Sequence, residues 1–420
     1  MAVRDGWCRP ACRPGLAWRE YDPELRNTPS AEATQMIEHE RDRAGTAVEA
    51  IRWRKGILTL LDQRKLPADE IWLEIPDLDT AVAAIRDLVV RGAPAIGITA
   101  AYAGVLAMRA RVLEFRDDGR AARKAWLADL DRLVEARPTA VNLRWAVDRM
   151  RRTAAQGDSY SDSNSDSNSD SNNDSNNDSN NGSNSDAALE RLERLAAAIH
   201  ADDIAANRRM AELGAGLIEP GSRVLTHCNT GSLATGGIGT ALGVIVRAWR
   251  AQRLARVHAC ETRPWLQGLR LTAWEFARER VPCSVLVEGA AAGLMQRGEI
   301  DWVITGADRI TANGDVANKV GTLMLATLAR HFGARMMVVA PVSTLDPDTP
   351  GGDRIEIEER PAEEIWGSVG MTAPEGVGSF NPVFDVTPAE LIDVIVTDRG
   401  LIEPPCDGRV AELAGAVDAA

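Results

Sequence analysis

One cysteine lies between an apolar run and a glycine-rich stretch, a setting in which a thiol can do chemistry. Residues 225–245 read LTHCNTGSLATGGIGTALGVI, and Cys228 stands just after the apolar run. This pattern predicts a strand, a glycine turn and then a helix. A helix N-terminus lowers the pKa of a thiol and favours the thiolate, and glycines let a ligand approach the backbone. We therefore predict a functional thiol; the alternative is a small buried residue near a turn.

Two side chains are candidates for a second catalytic group beside Cys228. His227 is its neighbour in sequence, but neighbours on an extended strand point to opposite faces, so His227 is a poor base for this thiol. Asp308 ends the segment DWVITGAD, where it either caps a turn or lies in a dry pocket. A dry pocket raises the pKa of a carboxyl group, which can then act as a general acid. A Cys–Asp pair suits proton transfer on a sugar better than acyl transfer.

Three basic residues stand where they can bind phosphate. Arg91 precedes GAP at positions 92–94, a predicted helix start, where free amide groups and the helix dipole attract anions. Arg137 lies just before another predicted helix start, and Lys319 ends the segment ANGDVANK. Only four of the 48 basic residues are Lys, which makes Lys319 a candidate for a required ammonium group. Together these residues indicate a phosphorylated substrate. The segment GGIGTALG at 236–243 matches neither nucleotide-binding fingerprint.

The elements that must position these residues follow from hydrophobic periodicity. Short apolar runs of strand length occur after residue 220, with helical patterns between most of them: RVLTH, ARVHAC, CSVLV, DWVIT, RMMVVA and LIDVIVT. This alternation predicts an α/β fold with a parallel sheet, and ligands bind beyond the carboxyl ends of such strands. Residues 48–157 are predicted to form a mostly helical N-terminal domain with a small β element at its front. Residues 187–410 are predicted to form the α/β catalytic domain.

Two segments have the composition of chain that does not pack into a core. Residues 1–47 lack clear periodicity and are predicted to form a poorly ordered N-terminal extension. Residues 158–186 read DSYSDSNSDSNSDSNNDSNNDSNNGSNSD and have almost no apolar side chains, which predicts a disordered insert. The chain carries a net charge of −13, of which this tract supplies −7, so the remainder carries −6. A mildly acidic remainder has no basic footprint for nucleic acid.

The composition also bears on compartment and metal content. No uninterrupted apolar run reaches the roughly 18 residues that a membrane helix needs, and no signal-peptide pattern is present, so a cytoplasmic enzyme without membrane contact is expected. The six cysteines are scattered over 420 residues, which is not a disulfide framework. Cys8 and Cys12 are close, but a zinc site needs two further ligands nearby. We expect no metal and no cofactor.

Eight stretches of the sequence closely resemble the methylthioribose-1-phosphate isomerase family of methionine salvage. They cover residues from about 50 to 400: LLDQRKLP, VRGAPAIGITAAYAG, RPTAVNL, LTHCNTGSLATGGIGTALGVI, ETRPWLQGLRLTAWE, ITGADRITANGDVANKVGT, APVSTLD and NPVFDVTPAELI. The resemblance implies a helical N-terminal domain, a Rossmann-like C-terminal domain and a homodimer. It also implies an aldose–ketose isomerisation of the small sugar phosphate 5-methylthioribose 1-phosphate to 5-methylthioribulose 1-phosphate.

The resemblance assigns roles to nine residues of this chain. It makes Cys228 and Asp308 the catalytic pair. It places the substrate contacts on Arg91, Gly92, Ala93, Arg137, Gln267, Asn318 and Lys319. One departure is that Gly293 occupies a position at which the family is expected to have a histidine. Two related readings stay open at this point: an isomerase for another pentose phosphate, such as ribose 1,5-bisphosphate, and a non-enzymatic regulatory subunit of a translation-initiation exchange factor, which shares the fold.

Overall fold

The computed structural model describes residues 48–116, 118–156, 177–403, 405 and 409–415. The predicted extension over residues 1–47 lies outside the described residues, as do Cys8 and Cys12. The helices are α1 Leu78–Arg86, α2 Ala93–Glu114, α3 Gly119–Ala136, α4 Val141–Gln156, α5 Asn177–Gly216, α6 Ala241–Arg250, α7 Ala273–Arg278, α8 Ala290–Gln296, α9 Thr322–Phe332, α10 Glu363–Gly367 and α11 Arg409–Gly415.

Three sheets are formed by strands whose bounds follow the apolar runs of the sequence. The strands are β1 Ile51–Arg54, β2 Ile57–Leu61, β3 Trp72–Ile75, β4 Ser222–Thr226, β5 Leu254–Cys260, β6 Cys283–Leu286, β7 Trp302–Thr305, β8 Arg309–Thr311, β9 Val316–Lys319, β10 Arg335–Val339, β11 Leu345–Asp346, β12 Phe384–Thr387, β13 Val394–Thr397 and β14 Gly400–Ile402. The first sheet is the antiparallel meander β1-β2-β3, which is the small β element expected before the helices.

A seven-stranded sheet in the order β14-β13-β10-β7-β4-β5-β6 is the largest of the three. Its neighbouring strands are parallel except for the β13–β14 pair. Each of the six apolar runs identified in the sequence supplies one strand of this sheet. The prediction of an α/β fold with a helical N-terminal region and a large, mainly parallel sheet is therefore confirmed. Because parallel strands end at a common edge, the residues that follow β4, β5, β7 and β10 lie close together.

Helix α5 contributes to the cores on both sides of it. Its first part packs Leu192 and Ile199 against the helices α2, α3 and α4. Its last part packs Met210 and Ala215 against α6 and the large sheet. The helix begins at Asn177, inside the predicted insert, so the last ten residues of that tract are helical here. The rest of the tract, residues 158–176, lies outside the described residues, and its disorder stays a prediction.

Helix α2 is nearly enclosed by its neighbours. It is long and apolar enough to cross a membrane by length and composition, and it is the one such helix among the described residues. Its most apolar window has a mean hydropathy of 1.3, but 72% of that window is buried inside the protein. The residues from Ala95 to Met108 are buried, many of them alanine and glycine that allow α4 and α5 to approach closely. We therefore interpret α2 as the central core helix of the N-terminal region.

A four-stranded sheet in the order β11-β8-β9-β12 lies just beyond the end of β7. Strand β8 is antiparallel to β9, and β9 is antiparallel to β12. No apolar run of strand length was identified in the sequence between DWVIT and RMMVVA. The structure shows that the segment after Asp308 is a short hairpin. This hairpin reverses the direction of the chain. It thereby brings Asn318 and Lys319 back towards the end of β7.

Candidate active site

A single cavity at the carboxyl edge of the large sheet contains every residue that the sequence singled out for function. Strand β4 leads into the loop of Cys228, β7 leads into Asp308, and the chain after β5 brings in Gln267. The start of α2 and the end of α3 close the cavity from the N-terminal region. The predicted site residues that line it are Arg91, Gly92, Ala93, Arg137, Cys228, Gln267, Asp308, Asn318 and Lys319.

The backbone of Cys228 has a left-handed conformation that is held by hydrogen bonds on both sides. Its φ angle is 63°, which is uncommon for a residue with a side chain. Its N–H donates to Thr262 Oγ1 at 2.9 Å, and its carbonyl accepts from Thr272 Oγ1 at 2.6 Å. Both threonines come from the chain that follows β5. A strained residue held in this way has its thiol in a fixed direction, which is typical of a functional site.

The structure corrects the expected environment of the Cys228 thiol. A helix does not begin beside it: the chain first makes a 3₁₀ turn at Ser232–Ala234, and α6 begins only at Ala241. Burial therefore has the larger effect and raises the pKa of the thiol, while the charges of Arg91 and Lys319 act in the opposite direction. The predicted lowering of this pKa was wrong. Burial therefore favours the protonated thiol in the free protein, and the charges of Arg91 and Lys319 favour the thiolate.

The carboxyl group of Asp308 lies in a buried environment, as was predicted for a residue that donates a proton. Its backbone N–H donates to the carbonyl of Ala317 on β9, which fixes the turn into β8. Burial raises the pKa of Asp308, and the charges of Arg137, Arg91 and Lys319 oppose that rise. The protonated carboxyl group is thus favoured by exclusion of water rather than by a neighbouring anion.

Arg91 is held in place by the residue that follows the cysteine. Its guanidinium donates to Asn229 Oδ1 at 2.7 Å and to the Asn229 carbonyl at 2.6 Å. The next residue, Gly92, has φ 92° and precedes α2. A Cβ atom at Gly92 would stand 2.5 Å from the Cβ of Ala234, so no larger residue fits there without a shift of the loop. The start of α2 therefore packs directly on the loop that carries Cys228.

Two of the predicted site residues have a buried polar atom without a protein partner among the described residues. The atoms are Nε of Arg137 and Oε1 of Gln267. Buried polar atoms nearly always have a hydrogen-bond partner in folded proteins, so each of these atoms indicates a ligand or a water molecule in the cavity. The guanidinium group donates only and suits an anion, whereas the amide oxygen accepts and suits a hydroxyl group.

Strand β9 carries Asn318 and Lys319 into the cavity. Its register pairs Lys319 with Phe384 and Asn318 with Asp385 of β12. The Asn318 Nδ2 atom donates to Thr322 Oγ1 at 2.9 Å, which leaves its carbonyl oxygen for another partner. Lys319 is only 5% exposed. Burial lowers the pKa of Lys319, and the groups of Cys228 and Asp308 raise it again.

Several residues that line the cavity were not identified from the sequence. They are Asn229, Thr230, Trp265, Arg270, Arg360, Glu364 and Asn381. Trp265 donates its indole N–H to Glu364 at 2.9 Å, and Arg360 pairs with the same carboxylate at 2.6 Å. Trp265 and Arg270 lie within the stretch ETRPWLQGLRLTAWE, so the resemblance offered a signal for them. Residues 358–364 lie outside every matching stretch, and only the folded structure brings them to the cavity.

The sequence of residues 89–404 matches the model of the initiation factor 2 subunit family. This match covers well over half of the chain. The chain belongs to the initiation factor 2 subunit family. Among the described residues of this family member, no group of three or more His, Cys, Asp or Glu side chains is placed to hold a metal ion.

Relatives within the initiation factor 2 subunit family include named enzymes. Methylthioribose-1-phosphate isomerase of Thioalkalivibrio sulfidiphilus (strain HL-EbGR7) is 52% identical over 377 residues, which cover 89% of this chain and 98% of that protein. A crystal structure of 5-methylthioribose 1-phosphate isomerase from Pyrococcus horikoshii OT3 has a TM-score of 0.72 and 34% identity, covering 88% of this chain and 96% of the other. A crystal structure of translation initiation factor eIF-2B, subunit delta, from A. fulgidus has a TM-score of 0.68 and 36% identity, covering 86% and 97%.

The position that departs from the expected family pattern lies away from the cavity of this initiation factor 2 subunit family member. Gly293 is in α8, and Arg297 is the nearest neighbour of a Cβ atom placed there, at 3.5 Å. Gly293 does not line the cavity. The nearby Glu288 accepts a hydrogen bond from the backbone N–H of Arg263 at 3.1 Å. A change at position 293 therefore does not act on the catalytic pair directly.

His227 points away from the cavity in this member of the family, as expected from its place after β4. Its Nε2 atom lies 2.9 Å from the carbonyl of Val320, to which it donates. Burial lowers the pKa of His227 to about 4. The folded pKa lies below that of an unfolded histidine, so the neutral ring stabilises the fold above pH 6.5 and this stability is lost as the pH falls towards 4.

We predict that His227→Gln removes a part of the pH dependence of stability. The stability difference between the wild type and this variant is expected to shrink by up to roughly 3 kcal/mol between pH 7 and pH 4.5. Burial raises the pKa of Asp203 to about 7 and gives the opposite trend, but it does so in both proteins and cancels in the comparison. Urea unfolding at several pH values measures the effect. A stability difference that stays constant with pH would contradict it.

Proposed function

We propose that this chain is a methylthioribose-1-phosphate isomerase, which interconverts 5-methylthio-D-ribose 1-phosphate and 5-methylthio-D-ribulose 1-phosphate in methionine salvage. Relatives that are about 50% identical over most of their length carry this name. The observation that carries the proposal is that Cys228 and Asp308 line one cavity together with the predicted cationic residues Arg91, Arg137 and Lys319. The purified protein should turn over 5-methylthioribose 1-phosphate, and an inactive wild-type protein would refute the proposal.

The first chemical step that we propose is acid-catalysed opening of the ribose ring. The phosphate on C1 blocks spontaneous opening, so the ring oxygen must receive a proton as its bond to C1 breaks. Asp308 is the donor in this proposal, because burial favours its protonated form. The ring oxygen becomes the C4 hydroxyl group, and C1 is left electron-poor. Arg137, whose charge lies near Asp308, then stabilises the carboxylate that remains.

The second step moves hydrogen from C2 to C1 by one of two routes. In the first route the thiolate form of Cys228, which the charges of Arg91 and Lys319 favour, acts as a base. It takes the C2 proton, the electron pair forms a C1–C2 double bond, and the thiol returns a proton to C1 as C2 becomes a ketone and its hydroxyl proton passes to the Asp308 carboxylate. In the second route the C2 hydrogen shifts as hydride to C1 while the C2 hydroxyl gives its proton to the Asp308 carboxylate, and Cys228 keeps the cavity dry. Substrate with deuterium at C2 tests the routes, since washout into solvent supports the base.

We propose that the phosphate group binds where the start of α2 meets the cationic side chains. The helix start offers free backbone N–H groups at Gly92 and Ala93, and Gly92 has no side-chain cap to occupy them. Arg91 and Lys319 supply positive charge at the same end of the cavity. Gln267 and Asn318 have amide oxygens suited to sugar hydroxyl groups, and Arg137 has a donor that lacks a protein partner.

We further propose the finer organisation that the family resemblance implies. Residues 48–157 form a helical N-terminal domain, and residues 187–410 form a Rossmann-like catalytic domain. The functional unit is a homodimer that works in the cytoplasm. Mass measurement of the native protein by light scattering tests the oligomeric state, for which two copies of the 45.3 kDa chain are expected. A monomeric mass for the active protein would exclude the dimer.

Two other functions compete with this proposal. The similarity to eIF-2B subunit delta of A. fulgidus favours a regulatory subunit without catalysis, but such a subunit has no need for a strained thiol beside a buried carboxyl group. An isomerase for ribose 1,5-bisphosphate is the enzymatic competitor. Parallel assays with 5-methylthioribose 1-phosphate and ribose 1,5-bisphosphate separate the three functions. The proposal expects turnover of the methylthio sugar to dominate.

Lys319→Arg is expected to raise the KM or lower the turnover about tenfold. The ammonium group of Lys319 is compact and enclosed, and the longer planar guanidinium group cannot occupy the same place without a shift of its neighbours. Steady-state kinetics measure the change, with Lys124→Arg on the exposed face of α3 as the matched control. Wild-type kinetics in Lys319→Arg would show that position 319 requires only a positive charge.

A further inference from the structure

A buried carboxylate lies behind the wall of the cavity without lining it. Glu275 of α7 is 5% exposed, and the sequence analysis gave it no role. Its Oε1 atom accepts from Asn229 Nδ2 at 2.7 Å, and its Oε2 atom accepts from both the backbone N–H and the hydroxyl group of Ser232 at 2.6 Å. A Cβ atom at Gly231 would stand 2.3 Å from this carboxylate, so the loop after Cys228 wraps closely around it.

The hydrogen bonds around Glu275 define the charge of its carboxyl group. Burial raises the pKa of Glu275 above its usual value, and the donors on Asn229 and Ser232, together with the charge of Arg91, offset only part of that rise. Three donors point at its two oxygen atoms. A protonated carboxyl group could direct its hydrogen only at the Ser232 hydroxyl, the one group of the three that also accepts, whereas a carboxylate accepts from all three. The arrangement therefore fits the ionised form better than the protonated one.

The carboxylate leaves Asn229 only one way to orient its amide group. Asn229 Nδ2 must face Glu275, and it also lies 3.2 Å from Thr272 Oγ1. Asn229 Oδ1 must then face the other way, where Arg91 donates to it at 2.7 Å. A chain of hydrogen bonds thus runs from a buried anion through one amide to a cation in the cavity. Asn229 is also the residue that directly follows Cys228.

We propose that Glu275 is a positioning residue for the isomerisation. Through Asn229 it fixes the direction of the Arg91 guanidinium group, and through Asn229 and Ser232 it holds the loop that keeps Cys228 in its left-handed conformation. Glu275 itself does not touch the substrate, since it does not line the cavity. This inference deepens the proposed function and rests on it for its kinetic consequences. Its structural consequence, the placement of Arg91, is independent of the substrate.

Glu275→Gln is expected to lower kcat about tenfold and to raise KM about tenfold, because a misplacement of about 1 Å can cost about a hundredfold in all. The glutamine has the same shape but turns an NH₂ group towards a donor, either Asn229 Nδ2 or the Ser232 pair. Both kcat and KM change because the disturbed loop carries Cys228 and also positions Arg91 through Asn229. The matched control is Glu279→Gln, one turn further along, where the carboxylate pairs with Arg250 on the surface side.

A reversed pair tests the hydrogen bond itself. In the double variant Asn229→Asp with Glu275→Gln, the glutamine NH₂ donates to the new carboxylate, its Oε1 still accepts from Ser232, and Arg91 keeps an acceptor. The net charge is unchanged. Each single variant is expected to lose about a hundredfold in kcat/KM, and the double variant is expected to recover at least about tenfold. If the single variants lost kcat/KM only because the fold is disturbed, the two losses would add up in the double variant, and no activity would be recovered.

Crystal structures of the wild type and of Glu275→Gln provide the readout that needs no activity. The Arg91 guanidinium group is expected to leave both Asn229 oxygens in the variant and to return in the reversed pair. If Glu275→Gln does not fold, the position of Arg91 is compared between Asn229→Asp and the double variant, because Asn229 is the other partner of the same hydrogen bond. Retention of Arg91 on Asn229, or a double variant no better than its singles, overturns the inference. Wild-type inactivity on the methylthio sugar, with Arg91 displaced in the variant, refutes only the proposed function.

Discussion

Cys228→Ser is expected to lower turnover by at least about a hundredfold while substrate affinity stays within about tenfold. Serine keeps the approximate size of the side chain but is a much weaker acid than a thiol. Its hydroxyl group therefore stays protonated and cannot act as the base at C2. Its hydroxyl group also makes the cavity more polar, which weakens the hydride route. Affinity is retained because Arg91 and Lys319 still bind the phosphate. The same variant therefore tests the thiol under either route.

The measurement is steady-state kinetics together with substrate binding by calorimetry. Cys283→Ser is the matched control, because Cys283 is a partly buried thiol on the edge strand β6 and does not line the cavity. This control is expected to keep wild-type turnover. Wild-type turnover in Cys228→Ser would show that the site assignment is wrong, whatever the family resemblance implies.

The large sheet could be predicted from the sequence because its central strands β4, β7, β10 and β13 are buried on both faces. Runs such as RMMVVA and LIDVIVT are mostly apolar, and the alternation with helical patterns leaves a parallel sheet as the simplest arrangement. The carboxyl end of each run then marks the edge of the sheet at which a ligand is expected to bind. This reasoning needs no information about distant contacts, which is why Cys228 and Asp308 could be placed at one edge before the fold was known.

The environment of the site could not be predicted in the same way. The pKa of Cys228 depends on where α6 begins, and the 3₁₀ turn between them has no periodic pattern. Strands β8 and β9 are three and four residues long, and they are defined by pairing with β11 and β12, far along the chain. Glu364 reaches the cavity through its contact with Trp265, about a hundred residues away in sequence. Such features depend on tertiary contacts and not on local propensity.

The common cause of the electrostatics in the cavity is the exclusion of water. Burial raises the pKa of both Cys228 and Asp308 and lowers that of Lys319, so it favours the neutral form of each group. The charges of Arg91 and Lys319 lower the pKa of Cys228 and of Asp308. The charges of Cys228 and Asp308 raise the pKa of Lys319. The pKa of Asp308 and that of Lys319 therefore both shift towards neutral pH, which favours acid–base catalysis. A bound phosphate adds negative charge and shifts the balance towards the protonated acids.

Asp308→Asn is expected to lower turnover by at least about a hundredfold, because the amide keeps the shape of the side chain but cannot donate the proton that opens the ring. In the wild type the active form is protonated, so turnover is expected to fall as the pH rises through the raised pKa of Asp308. This alkaline limb should disappear from the residual activity of the variant. Asp353→Asn, on an exposed loop, is the control and should keep the wild-type profile.

The double variant Cys228→Ser with Asp308→Asn tests whether the two groups serve one reaction path. When groups act as a unit, removal of the second costs less than removal of the first. The loss in the double variant is therefore expected to be smaller than the product of the two single losses. Strict multiplication of the losses would mean that the thiol and the carboxyl group act in independent steps. An unchanged alkaline limb in Asp308→Asn would assign the ring-opening proton to another acid in the cavity.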